Sequence, residues 1–211
     1  MSVFADLVTE VVSITGRPDL ETSIKSAMRS ATLSAHTSRV DPMTGARSPE
    51  YYPKDIFETG IRWQTPAYIQ SLDYKNVVPK WRSFKYLRKY DNNALDVRDA
   101  PGSFFELIVP ELVLDSYNIQ RDDVCYLAGD RMEIRSSTQD TYMLLGCYVY
   151  PNVIEATYQS WIAEEYPYAI IYAAVAIIYG QTGYSEEAGN MQGLASQHLL
   201  SLQSQIVAKG E

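Results

Sequence analysis

Few side chains in this chain have both the type and the spacing that chemistry requires. There are two histidines, His36 and His198, 162 residues apart, and two cysteines, Cys125 and Cys147. A metal site needs clustered ligands, and no HExxH, CxxC or EF-hand spacing occurs. No GxxxxGK(S/T) or GxGxxG run offers a phosphate cradle. Nucleophilic hydrolysis needs a nucleophile, a base and an orienting group in reach of one another. Either cysteine could meet a histidine in the fold, but no local motif brings them together. Glu164 and Glu165 are adjacent, so on a helix they point to different faces. They suit the positive end of a helix dipole better than two sides of a glycosidic cleft. The sequence therefore predicts no catalytic residue, no metal and no cofactor. The cysteines read as buried thiols on strands, the histidines as packing or surface residues.

One segment has a sharper chemical character. Residues 75–98 carry Lys75, Lys80, Arg82, Lys85, Arg88, Lys89 and Arg98 against Asp91 and Asp96, interleaved with Trp81, Phe84, Tyr86 and Tyr90. Cations among aromatic rings can bind single-stranded nucleic acid. The same pattern suits a protein interface that faces an acidic partner. A third reading is a two-sided strand with its rings inward and its charges solvated.

The elements that must position these residues follow from periodicity. Residues 3–15 have helical apolar spacing and stop at Gly16. Asp19, after Pro18, is expected to cap a second helix running to about Thr37, and the two helices to form an antiparallel pair. Residues 38–52, with Asp41-Pro42, Thr44-Gly45 and Ser48-Pro49, read as a loop. Strands are expected over Pro53–Trp63, Pro66–Tyr74 and Val77–Tyr90, with a turn at Asp91-Asn92-Asn93 into Ala94–Val97. Phe104–Val109 reads as a strand, and Pro110 as the start of a short helix to Tyr117. Val124–Leu127, Arg131–Arg135 and Thr141–Tyr150 form a strand series; the last is apolar on both faces, as a central strand would be. Residues 160–182 read as a buried helix broken or kinked at Pro167 and ended by Gly183. A last helix, capped by Ser185, runs to about Val207. The fold class expected is α+β: a four-helix bundle of two N-terminal and two C-terminal helices, about 1–37 and 160–207, with an inserted, mainly antiparallel β region over 53–150, all in one domain spanning 1–211.

Bulk composition narrows the function classes. With 211 residues and 46% apolar content, the chain can bury a full core without staples. Two cysteines are too few for a disulfide scaffold. Asp6 and Glu10 stand where a secretory signal would be basic, and the longest apolar run, Ala169–Tyr179, is well short of a membrane span. These readings predict a protein made and kept in a cytosol-like compartment. The net charge of −8 disfavours general nucleic-acid binding. That charge is uneven: residues 38–100 have eleven positive and eight negative side chains, residues 101–160 three and nine. Such polarity suits a molecule whose ends meet different partners, or copies of itself. Seventeen tyrosines against five phenylalanines also hint at interface surface.

The layout resembles the head-to-tail adaptor (connector, or head-completion) proteins of tailed bacteriophages. The resemblance rests on element order and on four stretches: DLVTEVVSITGRPDLETSIKSAMRSATLSAH at 6–36, YYPKDIFE at 51–58, YLAGDRMEIRSS at 126–137 and SWIAEEYPYAIIYAAVAIIYGQTGYSEEA at 160–188. None is a catalytic signature. The resemblance implies a non-enzymatic virion protein at the head-to-tail interface, made in the host cytoplasm. It implies a homo-oligomeric ring, typically twelve-fold, between the portal protein and the tail or nozzle proteins. The ring would extend the channel through which DNA passes without specific binding. The resemblance casts Lys80, Trp81, Arg82, Phe84, Lys85, Tyr86, Arg88 and Lys89 as a contact to a neighbour or a tail protein. It casts the C-terminal stretch, with Leu199, Leu202, Gln205, Ile206 and Lys209, as a portal contact. The competing class is a soluble α+β enzyme, hydrolase-like, whose site assembles only in three dimensions. An enzyme would show a pocket of convergent polar groups, an adaptor broad flat flanks.

Overall fold

The computed structural model describes residues 3–41, 47–62, 68–90, 103–114, 119–137 and 142–208. It is a mixed α+β structure with six helices and three separate sheets among the described residues. Contacts divide the chain into two compact units. The first is Met1–Asp55 with Tyr150–Glu211; the second is Ile56–Val149. The sequence alone predicts one domain with a β insertion at 53–150.

The first unit is helical. α1 (Val3–Thr15) buries Phe4, Leu7, Val8 and Val11 and ends at Gly16, whose φ of +63° a side chain would strain. α2 (Glu21–Thr37) buries Ile24, Ala27, Met28, Ala31 and Ala35 on one face. Asp19 does not cap it. A 3-10 turn at Pro18–Leu20 precedes the helix, and the Asp19 carboxylate instead accepts two bonds, of 2.9 and 2.8 Å, from the Arg17 guanidinium. A charged two-point donor two residues away outcompetes the amides of the first turn. The expected loop contains a small hairpin, β1 (Ser38–Val40) antiparallel to β2 (Arg47–Pro49).

After the chain returns, Ser160 caps the five-residue α4 (Trp161–Glu165), its Oγ accepting the Ala163 N–H at 3.1 Å. Pro167 then opens α5 (Pro167–Thr182), so the long apolar stretch is two helices rather than one kinked helix. α5 carries no charge, and eight of its residues are buried. A helix that is apolar all round belongs inside, and α5 packs against α1, α2, α4 and α6 (Ser185–Ala208).

The second unit is mostly β. β3 (Ile56–Arg62) and β5 (Trp81–Tyr90) flank the central β9 (Tyr142–Val149), both antiparallel to it. Ladders on both edges, and burial on both faces over Met143–Cys147, explain the continuous apolar run of β9. A four-stranded sheet has the order β4-β8-β7-β6, from β4 (Ile69–Asp73), β6 (Glu106–Leu107), β7 (Val124–Ala128) and β8 (Arg131–Arg135). β6 runs parallel to β7; the other pairings are antiparallel. On β8, Met132 and Ile134 are buried between partly exposed neighbours. A one-turn helix, α3 (Tyr74–Val77), is capped by Asp73. Among the described residues the expected helix from Pro110 is a 3-10 turn over Pro110–Leu112, and residues 115–117 of that expectation lie outside them. Trp63, the turn at 91–93 and the strand at 94–97 lie outside the described residues.

Candidate functional site

The basic–aromatic segment becomes β5, and packing splits it into unlike parts. Leu87 points fully inward, while Trp81 and Phe84 are half-buried against the same core. Trp81 lies 4.4 Å from the Tyr74 ring. Lys89, among the most basic-looking positions, is buried. Its ammonium is bonded to the Asp123 carboxylate, reaches Ser137 Oγ at 3.4 Å and lies 5.1 Å from the Phe105 ring. Burial works against the charged form of Asp123, but bonds from Lys89 and from the N–H and hydroxyl of Ser137 outweigh it. The carboxyl is held below its ordinary range. Arg88 sits 5.9 Å from the Phe104 ring. Lys80 is partly buried, which depresses its affinity for a proton. Arg82 is half-buried.

Lys85 is the outward member. It is exposed, and its ammonium lies 5.9 Å from the Tyr86 ring and 5.7 Å from the Tyr148 ring. Tyr86 is itself positioned by a glycine. Tyr86 on β5, Gly146 on β9 and Glu58 on β3 share one register line. The Tyr86 ring crosses β9 over Gly146 and its hydroxyl donates to Glu58. A Cβ at position 146 would lie 2.6 Å from two ring carbons. Glycine is therefore needed here for close approach, not for a positive φ.

From Phe104, which pairs with Arg88 on β5, onward, one stretch of the β unit leaves large apolar side chains uncovered. Phe104, Leu107, Val109, Leu112, Leu114 and Ile119 are 45–63% exposed. The strip is anchored from beneath, because Phe105 and Ile108 are buried and backbone bonds tie the segment to Leu87, Asp123 and Cys125. Glu106 pairs with Arg121 at 2.6 Å beside it.

The helical unit holds a constellation that sequence spacing did not reveal. His36 Nδ1 is 2.8 Å from Asp55 Oδ1, and His36 Nε2 is 2.8 Å from Ser160 Oγ. Trp161 Nε1–H donates to the same Asp55 oxygen at 2.8 Å. A carboxylate only accepts, so the Nδ1 hydrogen goes to Asp55; a neutral imidazole then offers Nε2 to the Ser160 hydroxyl. Nearby, the Tyr158 hydroxyl stands 2.8 Å from Thr32 Oγ1. Burial pushes the Tyr158 hydroxyl up, and its bonds to Thr32 and Ser160 pull it back.

Asp–His–Ser in this order is the connectivity of a hydrolytic triad. Access is what it lacks: His36, Asp55 and Ser160 are 1%, 5% and 3% exposed. Ser160 Oγ also accepts an N–H as the cap of α4. An attacking oxygen must reach a carbonyl and sit beside oxyanion donors; this one closes a core. The relay ties the end of α2, the 3-10 turn at Pro53–Asp55 and the start of α4 together. Three residues from distant stretches (36, 55 and 160) leave no local pattern in the sequence.

The C-terminal contact residues divide in the same way. Leu199 and Leu202 are fully buried in the helical core, so their side chains hold α6 to its own unit and offer no surface. Of the other three, Gln205 is exposed and accepts the Tyr166 hydroxyl, Ile206 is half-buried, and Lys209 lies outside the described residues. His198 is half-buried beside the rings of Tyr172 and Tyr168, at 5.6 and 6.1 Å. The cysteines are buried, and burial alone pushes Cys125 to about 12 and Cys147 to about 11, far from a thiolate nucleophile.

Among the described residues no group of three or more His, Cys, Asp and Glu side chains could hold a metal ion, and no helix is long and apolar enough to cross a membrane. No protein-family model matches the chain, and neither does any curated protein.

Proposed function

We propose that this chain is a non-enzymatic assembly protein of a tailed-phage virion, a head-to-tail adaptor that forms a ring between portal and tail. The observation that carries the reading is the uncovered strip from Phe104 to Ile119. Six large apolar side chains open in one short stretch are more than scattered surface residues usually supply, which supports a face that a protein partner covers. The element order, in which residues 56–149 interrupt the sequence of the helical unit, supports the reading. In this reading α1, α2, α5 and α6 make the four-helix bundle and the β unit is its insertion. The strip faces a tail protein or a neighbouring copy, and Gln205 and Ile206 remain the candidates for portal contact. A net acidic ring would let DNA pass without gripping it. The test is the native mass of the purified chain, alone and mixed with the candidate portal ring. A closed ring of copies loaded onto the portal is the expected result. A species that ignores the portal overturns the reading.

A second reading, a serine hydrolase, draws on the Asp55–His36–Ser160 relay. A fluorophosphonate probe decides it. Labelling at Ser160 would require the core to open, and an unlabelled chain removes the reading.

A further inference from the structure

We infer that a shallow groove of the helical unit, rimmed by Asp6, Glu10 and Glu164, receives the Lys85 face of the β unit of a second copy. The inference rests on the ring reading above and names the contact between neighbours.

The groove is about 470 Å³ and runs between α1 and the corner where α4 meets α5. Leu7 and Ile171 form its floor and Tyr168 stands exposed at its side. Asp6 and Glu10 are four residues apart on α1 and share a face; Glu164 comes from α4. No basic side chain lines the groove, and none of the three acids makes an ion pair among the described residues. Three carboxylates around an apolar floor suit a cation that arrives with apolar or aromatic surface attached. Small-molecule sites are enclosed rather than shallow, so the occupant is a macromolecular surface.

The chain carries a surface of that chemistry. Lys85 is exposed between Tyr86 and Tyr148, and the contacts it makes are with these rings. A ring face takes one side of an ammonium and leaves N–H donors outward for a carboxylate. Lys89 is already committed to Asp123, Arg88 lies against Phe104 and Arg82 is half-buried, so Lys85 is the exposed charge that β5 presents. An acidic groove on one unit and a cation–aromatic face on the other are two unlike complementary patches. Such patches make a heterologous contact, which closes into a ring when its rotation permits.

The contact can be read directly. Uniformly 15N-labelled and unlabelled full-length chains are mixed, coupled with a zero-length carbodiimide that joins amines to touching carboxylates, and digested. This is done with the chain alone, over a range of concentration, and with the portal-loaded species. Mixed-isotope peptides joining Lys85 to Asp6, Glu10 or Glu164 are expected. Lys85→Glu and Glu164→Lys should each abolish the multimer at moderate salt while the monomer keeps its unfolding midpoint, and both changes in one chain should restore it. Several results overturn the inference: Lys85 coupled only within one copy, Lys85 coupled elsewhere, no restoration by the double reversal, or a chain that is monomeric at every concentration and loads on the portal without this cross-link. The last result leaves the adaptor reading standing and removes only the contact. Failure to load while the cross-link persists does the reverse.

Discussion

The two units treat polar and apolar side chains in opposite ways. The helical unit hides its most reactive-looking group: His36, Asp55 and Ser160 are sealed in a core that also contains all of α5 between Ala169 and Ala176 except half-buried Tyr172. The β unit hides Lys89 on Asp123 but leaves Lys85 and the strip from Phe104 to Ile119 in the open. The group that resembles a catalytic site is here buried, and side chains that resemble ordinary core are exposed. Burial decides, because a nucleophile without access does no chemistry and an apolar patch without cover calls for a partner.

The largest expected effect breaks the comparison at its buried end. His36→Ala leaves Asp55 and Ser160 each buried and one hydrogen bond short, at about 1–3 kcal/mol for each group, a large share of a domain's stability. The helical signal in urea unfolding should move to a much lower midpoint. A shift worth less than about 1 kcal/mol would mean that the relay does not hold the core.

The next concerns the sheet face. Gly146→Ala puts a methyl into the Tyr86 ring and should cost about 1–3 kcal/mol. Combined with Tyr86→Ala, much of that cost should vanish, since the two residues act on one contact. Strict additivity in the double-mutant cycle would show that the ring does not cross at Gly146.

Acid titration sharpens the contrast within the β unit. The folded-state value of Asp123 lies below its unfolded one, so its contribution is present above the ordinary carboxylate value near 3.9 and is lost as pH falls through the depressed value. Asp123→Asn should flatten that part of the acid-unfolding curve of the β unit and leave the helical unit's curve unchanged. An unchanged curve would remove the Lys89–Asp123 pair from the account.

The smallest effect on stability is expected at the open end. Leu112→Ser and Ile119→Ser should each change the unfolding free energy by no more than about 0.5 kcal/mol while weakening the docking of a tail protein or of a neighbouring copy. Loss of stability without loss of docking would make the strip part of a core instead.

Much of the fold was legible in particular residues. Gly16 and Gly183 ended helices as read, each with positive φ, and Ser160 began one. Met132 and Ile134 alternated because one face of β8 is buried. The apolar run of β9 marked a central strand. Asp19 misled because its choice between an amide and Arg17 depends on a side chain, not on the helix pattern. The 38–52 stretch read as a loop because three-residue strands are too short for a period to show.

Periodicity, capping residues and glycine thus determined which elements form and which faces they bury, since these depend on neighbours within about two turns. What those elements bring together was decided only in three dimensions. His36 meets Asp55 and Ser160 across gaps of 19 and 124 residues. Tyr86 needs Gly146 beneath it and Glu58 beyond it. Lys85 stays open while Lys89, four residues on, closes on Asp123. Such pairings are set by the register and packing of distant strands and helices, and a strand's period says which face a side chain takes but not what waits there.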